Sequence, residues 1–307
     1  MSPSKIWGPL LAALFVLLPV AVPAAPAFLV NSEWLEEHID DPDLRILEVR
    51  YHPHRYHTIG HIPGAVQVQR FRDLGDNGGN PLMLFPSREA FQATLRRWGI
   101  DDGSTVVIYD DSATALASRV YFLLELFGFD MTRVKVLDGG VGAWSGFNDL
   151  TKDVPSVAPG TVTLKEADAS LYVDWATVYD RVVSSRDPSV VLLDARPESH
   201  YSGQDIVHAV RGGHIPGAIN VVSLSGTANG EWKDDAALAE MYKAIPKDKT
   251  VYAYCHDGFR MGLAYMQLKH LGYGDVRLYN GGWGHWGNRL SLPVVLGTTP
   301  FDDAFKL

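Results

Sequence analysis

The sequence predicts an α/β protein of two tandem domains that share one fold, each a parallel β-sheet flanked by helices. Segments of the first half recur in the same order in the second half, and short apolar runs alternate with helical patterns along both. Such alternation is typical of βα units built around a parallel sheet. The 307 residues are enough for two domains of ordinary size.

Four pairs of segments carry the repeat. The pentapeptide His-Ile-Pro-Gly-Ala occurs at 61–65 and again at 214–218. The apolar runs at 45–50 and 106–110 correspond to those at 191–196 and 252–255, and a Gly-Gly turn followed by Trp occurs at 136–144 and 278–286. Four matches in the same order indicate two copies of one fold.

The elements and domain limits follow from these patterns. Apolar runs predict buried strands at 106–109, 134–137, 190–193 and 251–254, and helical periodicity predicts helices at 87–98, 117–126, 235–244 and 260–271. We place the first domain at 28–150 and the second at 171–300. The connecting segment 151–170 opens with Pro, Ser and Gly without periodicity, so we interpret it as a linker.

Residues 1–27 have the pattern of a signal peptide. Lys5 precedes a nearly uninterrupted apolar run over 6–22, and small residues follow, with cleavage expected after Ala24 or Ala27. An uncleaved membrane anchor is the alternative, but the apolar run is short and contains proline. We therefore expect an exported protein, periplasmic in a bacterial cell, with no membrane attachment after cleavage.

The charge of the chain excludes several partners. The formal net charge is −9 and no basic stripe is present, so we expect no binding to nucleic acid or acidic lipid. His52, His54 and His57 lie in a predicted loop without the accompanying Cys or carboxylate pattern of a metal site. We expect no bound metal.

Cys255 is the only cysteine of the chain, which excludes an internal disulfide. It follows a predicted buried strand, and the short loop 256–259 separates it from a helix that begins at Arg260. Loop amides and the helix dipole attract an anion, so we expect a lowered thiol pKa and a reactive thiolate. The alternative is a buried, inert core cysteine.

The second half resembles the rhodanese family in its Cys-x-x-Gly-x-Arg loop at 255–260, its Asp-x-Arg at 194–196 and the His-Ile-Pro-Gly-Ala segments. The repeat is similar to the two-domain thiosulfate and 3-mercaptopyruvate sulfurtransferases, here of an exported bacterial type. The resemblance implies five parallel strands per domain, a cysteine persulfide and catalysis by the second domain alone.

Asp110 stands at the cysteine position of the first domain, and a carboxylate cannot hold a transferable sulfur atom. We expect that domain to be inactive.

The resemblance implies a sulfurtransferase enzyme. Cys255 would take the sulfane sulfur of thiosulfate or 3-mercaptopyruvate and pass it to a thiophilic acceptor (cyanide, a thiol or a protein), without a cofactor. A non-catalytic module or persulfide carrier that serves a protein partner is the alternative. A phosphatase of the same architecture is disfavoured, because it needs a longer loop between Cys and Arg than residues 256–259 provide.

The resemblance also indicates the side chains around the sulfur. We expect substrate to meet the loop residues His256, Asp257, Gly258, Phe259 and Arg260. Arg196 would bind the donor anion or brace the loop. His200 stands where the animal enzymes have a donor-binding arginine, and Arg211 could replace that arginine. Histidine is mostly neutral at pH 7 and Asp257 is negative, so both weaken anion binding.

Two other repeated features need no catalytic role. His61 and His214 occur in both halves, including the half without a cysteine, so we expect them to make structural hydrogen bonds. The glycine-rich turns at 139–142 and 281–284 lack the spacing of a nucleotide-binding loop.

Overall fold

Two five-stranded sheets form the centre of the molecule in a computed structural model that describes residues 26–79 and 81–301. Every pairing within them is parallel, and the first sheet has the order β1-β5-β4-β2-β3. Its strands are β1 (Leu29–Val30), β2 (Leu44–Val49), β3 (Val66–Val68), β4 (Thr105–Asp110) and β5 (Val134–Leu137).

The second sheet repeats this topology, with the order β6-β12-β11-β7-β8. An antiparallel pair, β9 with β10, lies outside it. The strands of this half are β6 (Tyr172–Val173), β7 (Val190–Asp194), β8 (Ala218–Asn220), β9 (Thr227–Ala228), β10 (Glu231–Trp232), β11 (Thr250–Tyr254) and β12 (Val276–Tyr279). Two repeated parallel α/β domains are therefore confirmed, as are the four predicted strands.

Helices connect the strands, and the four predicted helices are confirmed to within two residues at their ends. Capping explains two of the starts, because the Ser87 hydroxyl accepts from the Ala90 amide and the Asp234 carboxylate from the Ala237 amide. The helices are α1 (Ser32–His38), α2 (Arg55–Thr58), α3 (Arg70–Asp73), α4 (Arg88–Arg97), α5 (Ala117–Leu126), α6 (Gly140–Ser145), α7 (Trp175–Val178, continued by a π-helical turn, Tyr179–Ser184), α8 (Glu198–Ser202), α9 (Asp235–Tyr242), α10 (Arg260–His270) and α11 (Gly282–Trp286).

One apolar core crosses the boundary between the domains, where α5 packs against α10. The rings of Phe122 and Tyr265 meet there edge to face, with centroids 5.1 Å apart. Gly262 allows the helices to approach, since a Cβ at that position would lie 2.8 Å from the Ser118 hydroxyl and 3.2 Å from its carbonyl. The first turn of α5 thus lies against the start of α10.

Hydrogen bonds at the repeated Gly-Gly turns also join the two domains. The side-chain oxygen of Asn280 accepts from the Phe85 amide at 2.9 Å, and that of Asp138 accepts from the Trp232 amide at 3.0 Å. Each turn therefore holds a segment of the other domain. This is the structural role of two residues that occupy equivalent positions in the repeat.

The segment 151–170 runs along the first domain. Its Gly160 amide donates to the carbonyl of Arg96 at 2.7 Å, and its Val162 amide donates to that of Ile100 at 3.2 Å. The predicted signal peptide, apart from its last two residues, lies outside the described residues. Across 26–79 and 81–301, no helix combines the length and apolarity needed to cross a bilayer.

We predict that Gly262→Ala destabilises the protein by about 1–3 kcal/mol, because the added methyl overpacks the contact between α5 and α10. Gly142→Ala is the matched control, a helical glycine with open space around its Cβ position. There the better helix propensity of alanine should leave stability unchanged or raise it. Urea unfolding measures both, and a Gly262→Ala variant as stable as wild type would contradict the packing argument.

Candidate active site

Cys255 lies at the carboxyl end of β11, which runs between β7 and β12 in the middle of the second sheet. The start of α11 fixes the backbone here, because the Trp283 amide donates to the Cys255 carbonyl at 2.8 Å and the Gly284 amide to that of His256 at 3.0 Å. A Cβ on Gly282 would be 2.5 Å from the Cys255 carbonyl oxygen. Position 282 therefore requires glycine, because the Gly-Gly turn packs directly on this loop.

The sulfur atom is enclosed by the loop. Cys255 has no exposed surface, and the Gly258 amide donates to Sγ at 3.2 Å. Gly258 reaches this position with a φ of +99°, a conformation that favours glycine. Because the thiol is buried, side chains around the loop must move before a donor reaches it.

Burial raises the pKa of the Cys255 thiol, and the nearby Asp257 carboxylate raises it further. The amides of Met261 and Gly258 and the charge of Arg260 act in the opposite direction, but they do not outweigh burial. The predicted lowering of this pKa is therefore wrong for the structure described. The inward-facing amides, which lower the pKa, follow from the sequence pattern. The loss of hydration, which raises it, depends on tertiary packing.

The other loop residues surround the sulfur with mixed charges. His256, Asp257 and Arg260 are each partly exposed, whereas Phe259 is buried. Burial lowers the pKa of the His256 imidazole, so this side chain favours its neutral form. Arg260 is then the cation that the loop itself places near the thiol.

Arg196 is braced within the protein. Its guanidinium pairs with Asp194 at 2.6 Å, donates to the Gly213 carbonyl at 2.7 Å and lies 4.5 Å above the ring of Trp283. Both charged side chains are almost fully buried. This geometry favours the bracing role for Arg196 over contact with a donor anion.

His200 and Arg211 differ in their relation to the loop. His200 is half-buried, and burial followed by the charges of Arg196 and Arg260 lowers the pKa of its imidazole. Arg211 donates to four backbone carbonyls, those of Gly287, Leu292, Trp286 and Arg289. Because its guanidinium is engaged in this way, the expectation that Arg211 replaces a donor-binding arginine is wrong.

The first domain has a closed loop where the second has Cys255. Asp110 is buried at the end of β4, and its two carboxylate oxygens accept four backbone amides at 2.7–3.0 Å. The donors are Ser112, Thr114, Leu116 and Ala117. The loop that would receive an anion is thus occupied by a carboxylate of its own chain.

Sequence reasoning missed the residues that the first domain brings to the active loop. The Ser118 hydroxyl donates to the Phe259 carbonyl at 3.0 Å, and the buried Arg119 lies against Gly258. Arg70 lies 6.0 Å from the Phe259 ring. One signal was available, because Arg119 and Glu125 are the two charged residues of a helical pattern that is otherwise mostly apolar.

The repeated histidines have the predicted structural role. His61 bonds to the carbonyls of Tyr56 and Asp153 at 3.0 and 3.2 Å. His214 bonds to those of Tyr201 and Thr299 at 2.9 and 3.0 Å. Within the part of the chain that the structure describes, no group of three or more His, Cys, Asp or Glu side chains is placed to hold a metal ion.

We predict that Asp257→Asn speeds alkylation of Cys255 by iodoacetamide at pH 7 several-fold. Removing the negative charge lowers the thiol pKa, and only the thiolate is a strong nucleophile. The control is Asp205→Asn, which removes an exposed acid outside the loop. An unchanged or slower rate in Asp257→Asn would show that this carboxylate does not act on the sulfur.

Known proteins are similar to this chain in sequence and in fold. The family model for the rhodanese-like domain matches residues 31–146 and 182–289. The sulfur carrier protein TtuD of Thermus thermophilus is 32% identical over 89% of this chain and 98% of its own length. The thiosulfate sulfurtransferase of Corynebacterium glutamicum is 34% identical over 89% of this chain and 92% of its own length.

A known crystal structure is similar to this chain in fold. It is SseA from Escherichia coli, described as a 3-mercaptopyruvate sulfotransferase, with a TM-score of 0.73 and 27% identity. The match covers 83% of this chain and 98% of SseA. With two matched domains and relatives that span it almost completely, this chain belongs to the rhodanese family and is a two-domain sulfurtransferase.

Proposed function

We propose that the protein moves a sulfane sulfur from thiosulfate or 3-mercaptopyruvate to a thiophilic acceptor through a persulfide on Cys255. The observation that carries this proposal is the Cys255 sulfur at the carboxyl end of β11, accepting a hydrogen bond from the Gly258 amide inside a strand-to-helix loop. An amide that donates a hydrogen bond at this point stabilises negative charge on the sulfur of both the thiolate and the persulfide.

The reaction takes place in two steps. The Cys255 thiolate attacks the outer sulfur of thiosulfate, an S–S bond forms to the cysteine, and the bond to the sulfonate sulfur breaks to release sulfite. With 3-mercaptopyruvate the C–S bond breaks instead, and the enolate that leaves takes up the proton of the mercapto group to give pyruvate. An acceptor nucleophile then attacks the outer sulfur and returns the thiolate, as covalent catalysis requires.

An anionic donor meets two cations near the loop. Arg260 is partly exposed at the start of α10. Arg70, from the first domain, lies between the rings of Tyr51 and Phe71, and its Nε is buried without a hydrogen-bond partner among the described residues. His200 adds little charge at neutral pH, because its pKa is lowered. These side chains suit a small anion such as either donor.

A second function is favoured by the relative named a sulfur carrier protein. In that role the persulfide on Cys255 would pass to a protein partner and the chain would not turn over a small acceptor. The two functions differ in turnover with cyanide or a small thiol, which only the enzyme supports.

We predict that Cys255 gains the mass of one sulfur atom when the purified protein is incubated with its donor. Mass spectrometry of the peptide that contains Cys255, after separate incubation with thiosulfate and 3-mercaptopyruvate, identifies the donor. Cys255→Ser should remove both the added mass and all turnover, and Asp205→Asn, which alters an exposed acid outside the loop, should retain them. A Cys255 that neither donor modifies would contradict the proposal.

We also propose that the protein is exported, to the periplasm in a bacterial cell, after removal of residues 1–27 or 1–24. The support is the apolar run after Lys5 and the small residues that follow it. N-terminal sequencing of protein recovered from the periplasmic fraction should begin at Ala25 or Phe28. A protein found in the cytosol with Met1 or Ser2 at its amino terminus would contradict export.

A further inference from the structure

Arg119 is a buried cation held by the first domain. It lies in the first turn of α5 and is 1% exposed. Its Nε and Nη2 donate to the Leu74 carbonyl at 3.1 and 3.0 Å, and Nη2 also donates to the Met83 carbonyl at 3.0 Å. The guanidinium lies 4.7 Å from the centre of the Phe85 ring. These contacts fix one side of the group and leave Nη1 on the other.

Nη1 points to the active loop. A Cβ built on Gly258 would lie 2.2 Å from Nη1, so the guanidinium is packed directly on the residue whose amide bonds to the Cys255 sulfur at 3.2 Å. None of the hydrogen bonds of Arg119 among the described residues uses Nη1. The free edge of this cation therefore faces the sulfur-binding loop of the other domain.

Arg119 has no carboxylate partner in its own domain. It forms none of the salt bridges found among residues 26–79 and 81–301. Burial lowers the pKa of its guanidinium to about 10, and the negative charges that oppose this effect are those of Asp257 and Cys255. An isolated buried charge is costly, and an opposite charge nearby offsets that cost.

We propose that Arg119 is a positioning residue of the active site, through which the first domain supplies a positive charge that stabilises Cys255 as thiolate and as persulfide. Its consequence for turnover rests on the proposed sulfur transfer, but its effect on the thiol does not. The attraction between the guanidinium and the sulfur anion is mutual, so the cation favours the charged sulfur as the sulfur favours the cation.

Charged groups from both domains lie around the active loop, among them Arg70 of the first domain, 6.0 Å from the Phe259 ring. Asp257 and Arg260 come from the loop itself, and Arg119 comes from α5 of the first domain. Asp257 opposes ionisation and Arg260 favours it. Arg119 packs on Gly258, the neighbour of Asp257 in the chain, and its charge interacts with those of Asp257 and the sulfur. This assigns the first domain a direct part in the chemistry of the second.

The test is the pKa of Cys255 in Arg119→Gln and Arg119→Lys, read from the pH dependence of alkylation by iodoacetamide. We expect Arg119→Gln to raise the thiol pKa by about one unit and Arg119→Lys to restore it, because lysine keeps the charge. Arg45→Gln is the matched control. Arg45 also binds only backbone carbonyls, those of Gly99, Pro42 and Leu44, but near the amino end of β2.

A purely structural Arg119 would give a different result. The thiol pKa would then be the same in wild type, Arg119→Gln and Arg119→Lys, or would shift equally in both variants, and either outcome overturns the proposal. If Arg119→Gln does not fold by circular dichroism, Arg119→Met replaces it with the same required outcome. Alkylation needs no sulfur donor, so a wild-type protein without turnover would contradict the proposed function and leave this measurement intact.

Discussion

The Cys255 sulfur is buried away from water, and this loss of hydration is the constraint on its chemistry. A charge without hydration must be stabilised by dipoles and charges that the chain holds in place. The Gly258 amide and the Arg260 charge lie within the loop, and the Gly-Gly turn before α11 packs on the loop backbone. Burial opposes ionisation, so the polarity around the sulfur determines how reactive it is.

The two domains use the same loop position in different ways. The Asp110 carboxyl group brings two acceptor oxygens, and four amides donate to them. A thiol is a single, weak acceptor. The loop after Cys255 is also shorter, because α10 begins at Arg260 whereas α5 begins at Ala117. The first loop is therefore filled by its own side chain, whereas in the second loop one amide, that of Gly258, donates to the sulfur.

The interface between the domains is part of the active-site structure. Ser118 donates to the carbonyl of Phe259, and Gly262 lets α5 approach the start of α10. The shared apolar core fixes this contact, and the bonds from Asn280 and Asp138 hold each domain to the other. A domain that lacks the nucleophile thus helps to determine where the nucleophile lies.

The sequence by itself determined the repeat, the strands and helices, the cysteine loop and the structural histidines. These depend on apolar periodicity and on short motifs, which are local properties of the chain. Only the tertiary structure decided that burial raises the Cys255 pKa, that Arg211 binds carbonyls and that Arg119 reaches Gly258. Hydration and charge depend on which distant segments pack together, and the order of residues along one segment does not contain that information.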